Sequence, residues 1–254
     1  MAPTLDGQVA LVTGAAQGMG RAIARRLAAD GARVAVNDRV ADERMAAVVA
    51  ETGGLAAVGD VSDPEAVAAM VGAVEDAAGP VGLLVANHAC MEMAPFVDHD
   101  EASFWRQVDT NLSGTFFLVR AVLPGMRAGG GGRIVIIASE WGTIGWPNAT
   151  AYAASKAGLI SLTKTLGREL APDGVIVNAI APGITDTPQL EVDARDAGVS
   201  REEVIRRYAQ DIPLGRVGRP EEIAATVAFL ASPAAEAFVG QILQPNGGTT
   251  RGFA

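Results

Sequence analysis

The sequence has 254 residues, 49% hydrophobic and 19% charged, with 30 glycines and 13 prolines, a balance that suits one globular domain with a sizeable core and excludes disordered, collagenous and coiled-coil chains. One cysteine rules out an internal disulfide framework and two histidines leave little for a metal centre, so no metal is expected and a reducing, cytoplasmic setting is the economical expectation. The 29 acidic residues against 20 basic ones, net −9, oppose nucleic acid or an anionic membrane as partner.

The N-terminus has neither a basic start nor an apolar run long enough for a leader. Nothing approaches the roughly 18 uninterrupted apolar residues of a membrane span. In chain order, the first strand is expected at 9–12, followed by Thr13-Gly14-Ala15-Ala16-Gln17-Gly18-Met19-Gly20 and a helix over 21–30. A second strand at 33–36 leads to Asp38 and Arg39, and a third at 55–58 to Asp60 and Val61. A helix over 64–78 starts at Pro64, where a first turn tolerates proline. Strands at 83–86, 133–138 and 175–180 alternate with helices over 104–126 and 152–170. The polar segment 184–219 lacks strand character and reads as a substrate lid. A helix over 220–230 and a last strand at 241–243 close the chain. Continuous Val, Ile, Leu and Ala runs alternating with amphipathic stretches predict an α/β protein, a doubly wound parallel sheet of about seven strands with helices on both faces. No repeat, composition break or linker divides residues 1–254 into two domains.

Glycines after the first strand permit a tight turn and let backbone N–H groups approach a pyrophosphate, which the following helix N-terminus also favours. Placed between strand and helix, Gly14, Gln17, Gly18, Met19 and Gly20 form a candidate dinucleotide site. Asp38 ends the second strand where a carboxylate can accept hydrogen bonds from an adenosine ribose and repel a 2′-phosphate, which favours NAD(H). Arg39 beside it could grip that phosphate instead, so NADP(H) stays open. No Lys or Arg occurs within the glycine turn.

The chain holds two tyrosines and two lysines. One of each forms Tyr152-Ala153-Ala154-Ser155-Lys156, four apart on one face of an expected helix. An ammonium beside a phenol lowers its pKa toward the working range and makes Tyr152 a candidate general acid/base. On spacing alone, a helix face carrying an amphipathic tyrosine and a solvated lysine explains the pair equally well.

The glycine turn, Asn87-His88-Ala89, Asn111, Ser139, Tyr152-x-x-x-Lys156 and Pro182-Gly183 occur in an order and spacing that resemble the short-chain dehydrogenase/reductase family over essentially the whole chain. The resemblance implies a Rossmann fold and an enzyme interconverting a secondary alcohol and a ketone. In that family's pattern Ser139 would hold the substrate oxygen and Tyr152 would exchange its proton. Lys156 would bind the nicotinamide ribose and tune Tyr152, and Asn111 would hold a relay water. Asp60 and Val61 would contact adenine, Asn87 would lie against the cofactor, and Pro182, Gly183, Ile184 and Thr187 would hold the carboxamide side. The resemblance further implies a homotetramer built on helices 104–126 and 152–170.

Departures from the family pattern are His88 and Cys90, read as a packing residue and a buried thiol, and Pro245-Asn246-Gly247-Gly248 near the end. Pro245 cannot donate to a ladder, so the last strand should stop before it. The substrate pocket is expected from segments 91–96, 140–148 and 184–219. Glu140, Trp141 and Trp146 there suggest a cyclic alcohol, sugar or aromatic ketone, unless the indoles only pack the loop. A 3-oxoacyl-carrier-protein reductase, an activity that usually goes with NADPH, is the alternative; Arg127 and Arg133 would be its small basic docking patch. A silent NAD(H)-binding protein is the alternative of another class.

Overall fold

Seven short apolar runs become the strands of one parallel sheet in the computed structural model, which describes residues 5–250. The first four residues, part of the stretch read for a leader, and the last four lie outside the described residues. The strands are β1 (Val9–Val12), β2 (Arg33–Asp38), β3 (Leu55–Val58), β4 (Val81–Ala86), β5 (Gly132–Ile137), β6 (Val175–Ile180) and β7 (Ile242–Leu243). Their spatial order is β3-β2-β1-β4-β5-β6-β7, and every neighbouring pair is parallel. This is the doubly wound Rossmann arrangement. Its order reverses between β1 and β4, and the crevice beyond the carboxyl ends at such a switch point is where open α/β sheets bind ligands.

Both faces of the sheet are covered, which is why β1 is apolar at every position and wholly buried. On one face α1 (Gly18–Ala29), α2 (Glu43–Thr52) and α10 (Pro220–Ala231) pack Ile23, Leu27, Val48 and Val227 against Val12, Val34 and Leu83. On the other, α3 (Pro64–Ala78), α5 (Gly114–Ala128) and α7 (Thr150–Leu170) pack Val71, Leu118 and Leu159 against Leu11, Leu84 and Ile136. Truncating one such fully buried leucine to alanine costs about 2–5 kcal/mol.

Three differences from the sequence reading have local causes. First, α2 was not expected: its buried stripe is only Met45 and Val48, and the Asp42 side chain caps it by accepting from the Met45 N–H at 3.1 Å. Second, the helix expected over 104–126 is three pieces: α4 (Glu101–Val108), a π-helical turn (Asp109–Ser113) and α5. Third, the segment 184–219 is largely helical, with α8 (Gln189–Asp196) and α9 (Arg201–Asp211) held on a small cluster of Leu190, Ala194 and Val204. β7 does stop before Pro245, as expected. No helix of the described residues is long and apolar enough to cross a membrane.

Candidate active site

The β1–α1 turn is built on glycine for steric reasons. Gly14 and Gly18 have φ of +59° and +55°, values at which a Cβ is strained. A Cβ on Gly20 would lie 2.2 Å from the Gly14 carbonyl oxygen. Asn87, just beyond β4, ties the turn to the sheet by donating from Nδ2 to the Thr13 and Gly14 carbonyls at 3.0 and 3.1 Å. No side chain caps α1 and no acid lies in its first turn, so its amide dipoles face the crevice unopposed.

A cavity of about 450 Å³ lies over this turn, its wall including Gly14, Gln17, Gly18, Met19 and Gly20. Asp38, Arg39, Asp60, Val61, Asn87 and Thr187 also face it. Eleven of the residues expected to hold a dinucleotide thus converge on one cleft, and the glycine cradle that a Cβ would fill suits a pyrophosphate. Asp38 Oδ2 accepts from the Ala16 N–H at 3.3 Å and Oδ1 from the Arg39 N–H at 2.8 Å. The sequence reading missed Arg44, which reaches back from α2: its Nη1 donates to Gln17 Oε1 at 2.9 Å while its guanidinium pairs with Asp42 at 2.6 Å.

A smaller cavity of about 210 Å³ adjoins the first, sharing Met19, Ala89, Thr187 and Gln189 with it. Ser139, Trp141, Tyr152, Pro182, Gly183 and Ile184 line it. Ser139 lies between β5 and the short helix α6 (Trp141–Ile144), and Tyr152 stands in the first turn of α7. Burial pushes the Tyr152 phenol up to about 12, against a hydrogen bond from the Ser139 hydroxyl that works the other way. Lys156 is fully buried. Its Nζ donates to the Ile137 carbonyl at 2.8 Å and stands 5.5 Å from the centre of the Tyr152 ring. Burial brings this amine down to about 7. The expectation that the lysine lowers the phenol is therefore corrected for this structure: the ammonium is held on a strand carbonyl, and burial outweighs it.

Asn111 lies in the π turn and does not line either cavity. Its Oδ1 accepts from the Cys90 N–H at 2.7 Å, and its Nδ2 donates to the Cys90 carbonyl at 2.9 Å and to Ser155 Oγ at 3.0 Å. One amide thus joins the segment after β4 to α7. His88 is a satisfied packing residue. The Thr13 hydroxyl accepts from the Asn87 and His88 N–H groups at 3.0 and 3.2 Å and is hydrogen-bonded to His88 Nδ1 at 2.8 Å. Burial first, and then the Lys156 charge, bring this imidazole down to about 3, so it is neutral near pH 7. Cys90, expected as a buried thiol, is instead half-buried and lines the larger cavity; its thiol is pushed up, chiefly by burial and then by Glu92.

Glu140 was expected in the substrate pocket but does not line it. Its side chain is buried against Asn246, with Oε2 lacking a hydrogen-bond partner. Trp146 is also absent from the cavity wall; it stacks behind Trp141 at 4.8 Å, nearly parallel, and Trp141 meets Tyr152 edge-on at 5.9 Å. Burial raises the Glu140 carboxyl from its ordinary 4.5 to about 7. A raised acid stabilises the fold fully below its unfolded pKa, and that contribution is lost as pH rises through about 7. Glu140→Gln should therefore unfold at a higher temperature than wild type at pH 8, by an advantage on the order of 3 kcal/mol, and show no such gain near pH 4.5. Melting curves offset equally at both pH values would contradict this.

Comparison with known proteins places the chain in a class. A family model described as enoyl-(acyl carrier protein) reductase matches residues 14–250. Sorbitol dehydrogenase of Cereibacter sphaeroides is 39% identical over 251 residues, covering 96% of this chain and 98% of that protein. The 2-dehydro-3-deoxy-L-rhamnonate dehydrogenase (NAD(+)) of a Sphingomonas species is 40% identical, with 96% of each chain covered. A 3-oxoacyl-acyl-carrier-protein reductase of Vibrio cholerae is 39% identical, covering 96% of this chain and 98% of that protein. A solved structure assigned to a short-chain alcohol dehydrogenase of Sinorhizobium meliloti superposes with a TM-score of 0.90 at 37% identity, covering 98% of both chains. The chain belongs to the short-chain dehydrogenase/reductase family. It is an oxidoreductase acting on alcohol groups, in a family that uses nicotinamide cofactors.

Proposed function

We propose that the chain works as one dinucleotide-binding and catalytic unit that interconverts a secondary alcohol and a ketone, with NAD(H) preferred and residues 184–219 as its lid. The observation that carries this reading is the junction of the two cavities: Ser139 and Tyr152 line the one that adjoins the glycine cleft. The nicotinamide supplies or accepts the hydride when bound. Ser139 holds the substrate oxygen, and Tyr152 gives its proton to the carbonyl on reduction or takes it on oxidation. Lys156, its Nζ fixed on the Ile137 carbonyl beside the Tyr152 ring, holds the nicotinamide ribose. Asn111 fixes the start of the proton route by joining Cys90 to Ser155, one residue before Lys156. Pro182, Gly183, Ile184 and Thr187 hold the carboxamide side of the cofactor, and Trp141 bounds the substrate. A cyclic alcohol, sugar or aromatic ketone suits a cavity of about 210 Å³ with an indole wall.

Asp38 supports the NAD(H) preference because a 2′-phosphate there would meet its carboxylate. Arg39 and Arg44 flank that position, so the discrimination rests on one negative charge. Asp38→Ser should raise kcat/KM for NADP relative to NAD by about 10–100-fold, equivalent to roughly 1.4–2.8 kcal/mol. An unchanged ratio would remove Asp38 from the ribose site. A spectrophotometric screen of secondary alcohols and ketones with both cofactors tests the whole reading at once.

The Vibrio cholerae relative favours a second reading, a carrier-protein-linked 3-oxoacyl reductase using NADPH. Against it, the Arg127 guanidinium of the supposed basic patch is paired with Asp173 at 2.6 Å. Reduction of an acetoacetyl thioester faster than any free ketone would decide for it. We further place the protein in the cytoplasm as a homotetramer. Phe116 on α5, 44% exposed with the Arg120 guanidinium 5.5 Å above its ring, supports a contact face, and light scattering tests it.

A further inference from the structure

The wall of the substrate cavity carries one carboxylate. Asp193, on lid helix α8, faces the same cavity as Ser139 and Tyr152. Its two oxygens are each held by a neutral donor. Gln189 Nε2 donates to Oδ1 at 3.0 Å, and the Tyr208 hydroxyl donates to Oδ2 at 3.2 Å. Among the described residues Asp193 makes no ion pair. A carboxylate offers about four lone-pair sites. Two are used, so the group is fixed in direction yet keeps its charge and part of its accepting capacity for whatever enters the cavity.

Its position is tied to the reacting centre through a run of aromatic rings. Tyr208 leans on Trp146 at 6.5 Å, Trp146 stacks on Trp141 at 4.8 Å, and Trp141 abuts Tyr152 at 5.9 Å. Trp146 therefore acts as a spacer between the phenol that exchanges the proton and the phenol that holds Asp193. Burial and the Asp193 charge both keep Tyr208 protonated, with its hydroxyl pushed up to about 12, so it remains a donor across the working pH range.

We propose that Asp193 is a specificity-determining residue that accepts a hydrogen bond from a second hydroxyl of the substrate, so that the natural substrate is a neutral polyhydroxylated alcohol and molecules bearing a carboxylate at that place are rejected. The inference rests on the reading of this cavity as the alcohol site. Asp193 is half-buried, and a substrate that closes over an accepting group without offering it a donor leaves that group desolvated and unpaired, which discriminates against analogues lacking the matching hydroxyl. A carboxylate facing another carboxylate adds like-charge repulsion.

The test compares cyclohexanol, the isomeric cyclohexanediols, 4-aminocyclohexanol and 4-hydroxycyclohexanecarboxylate with wild type, Asp193→Asn, Asp193→Ala and Tyr208→Phe. Two readouts are taken: kcat/KM with NAD, and calorimetric binding to the NADH complex. Wild type should favour at least one diol over cyclohexanol by about 10–100-fold. That ratio should collapse toward one in Asp193→Ala and fall partway in Tyr208→Phe. Asp193→Asn should gain at least about tenfold for the carboxylate-bearing alcohol relative to the diol. The same diol-to-cyclohexanol ratio in wild type and both Asp193 variants would overturn the proposal. So would a wild-type preference for the amino alcohol, which would make Asp193 a cation site. Aspartate-dependent diol binding without turnover would support the inference while refuting the assigned reaction.

Discussion

Tyr152→Phe should lower kcat/KM for any accepted alcohol or ketone by about 10²–10⁴-fold, the usual worth of one positioned acid/base group, while NADH binding and melting temperature stay near wild type. The substitution removes a single oxygen. The ring keeps its edge-on contact with Trp141 at 5.9 Å and its place 5.5 Å from the Lys156 ammonium, so neither packing nor the buried lysine loses a neighbour. What goes is the proton, and at about 1.4 kcal/mol per tenfold the loss amounts to roughly 3–5 kcal/mol of transition-state stabilisation. The direction of the pH dependence follows from the same group. With the phenol pushed up by burial, carbonyl reduction starts from the protonated form that predominates near neutrality. Alcohol oxidation needs the phenolate, and its rate should climb as pH rises well into the alkaline range. Stopped-flow turnover across pH, with NADH binding followed by fluorescence, measures both. A Tyr152→Phe variant with near wild-type turnover would displace Tyr152 from the chemistry.

The sequence made the sheet legible because strands covered on both faces must be apolar at nearly every position, as Val9–Val12 and Ile134–Ile137 are. α3 was legible to the residue because Asp63 and Pro64 mark its start: the Asp63 side chain accepts from the Glu65 and Ala66 N–H groups. The π turn was not. It coincides with Asn111, whose amide bonds to Cys90 and Ser155, residues far away in sequence, and no local periodicity encodes that. Glu140 and Trp141 are neighbours in sequence, yet one side chain turns to Asn246 and the other lines the smaller cavity. Proximity along the chain could not tell them apart. The Asp193 and Tyr208 pair was hidden for the opposite reason. The two residues stand on α8 and α9, 15 positions apart, in a segment too polar to announce its folded form. Tyr152 and Lys156 were legible because both residue types are rare in this chain and the two stand four apart; Asp193 and Tyr208 were not, because only the folding of α8 against α9 brings them together.

Gly20→Ala should weaken NADH binding by at least about 30-fold and lower the melting temperature, although alanine is the better helix former. Inside α1 the replacement would gain about 1 kcal/mol of helix propensity. The new Cβ, however, would sit 2.2 Å from the Gly14 carbonyl oxygen, 2.6 Å from Asn87 Nδ2 and 2.8 Å from the Ala15 Cα. Two of those three are backbone atoms of the turn itself, so no side chain can rotate away to make room. Relieving the overlap must push the Gly14 carbonyl off Asn87, breaking the 3.1 Å bond that ties the turn to the end of β4. Overpacking of this kind typically costs about 1–3 kcal/mol or more, which exceeds the propensity gain. At about 2–4 °C per kcal/mol for a chain near this size, the melt should fall by several degrees. Gly72 provides the contrast on the same fold. It lies within α3 with nothing inside 4 Å of its would-be Cβ. Gly72→Ala should therefore raise the melting temperature by up to about 1 kcal/mol equivalent and leave NADH affinity alone. Fluorescence titration of NADH and thermal melts of both variants separate close approach from backbone propensity. Wild-type NADH affinity in Gly20→Ala would mean that the turn does not cradle the dinucleotide.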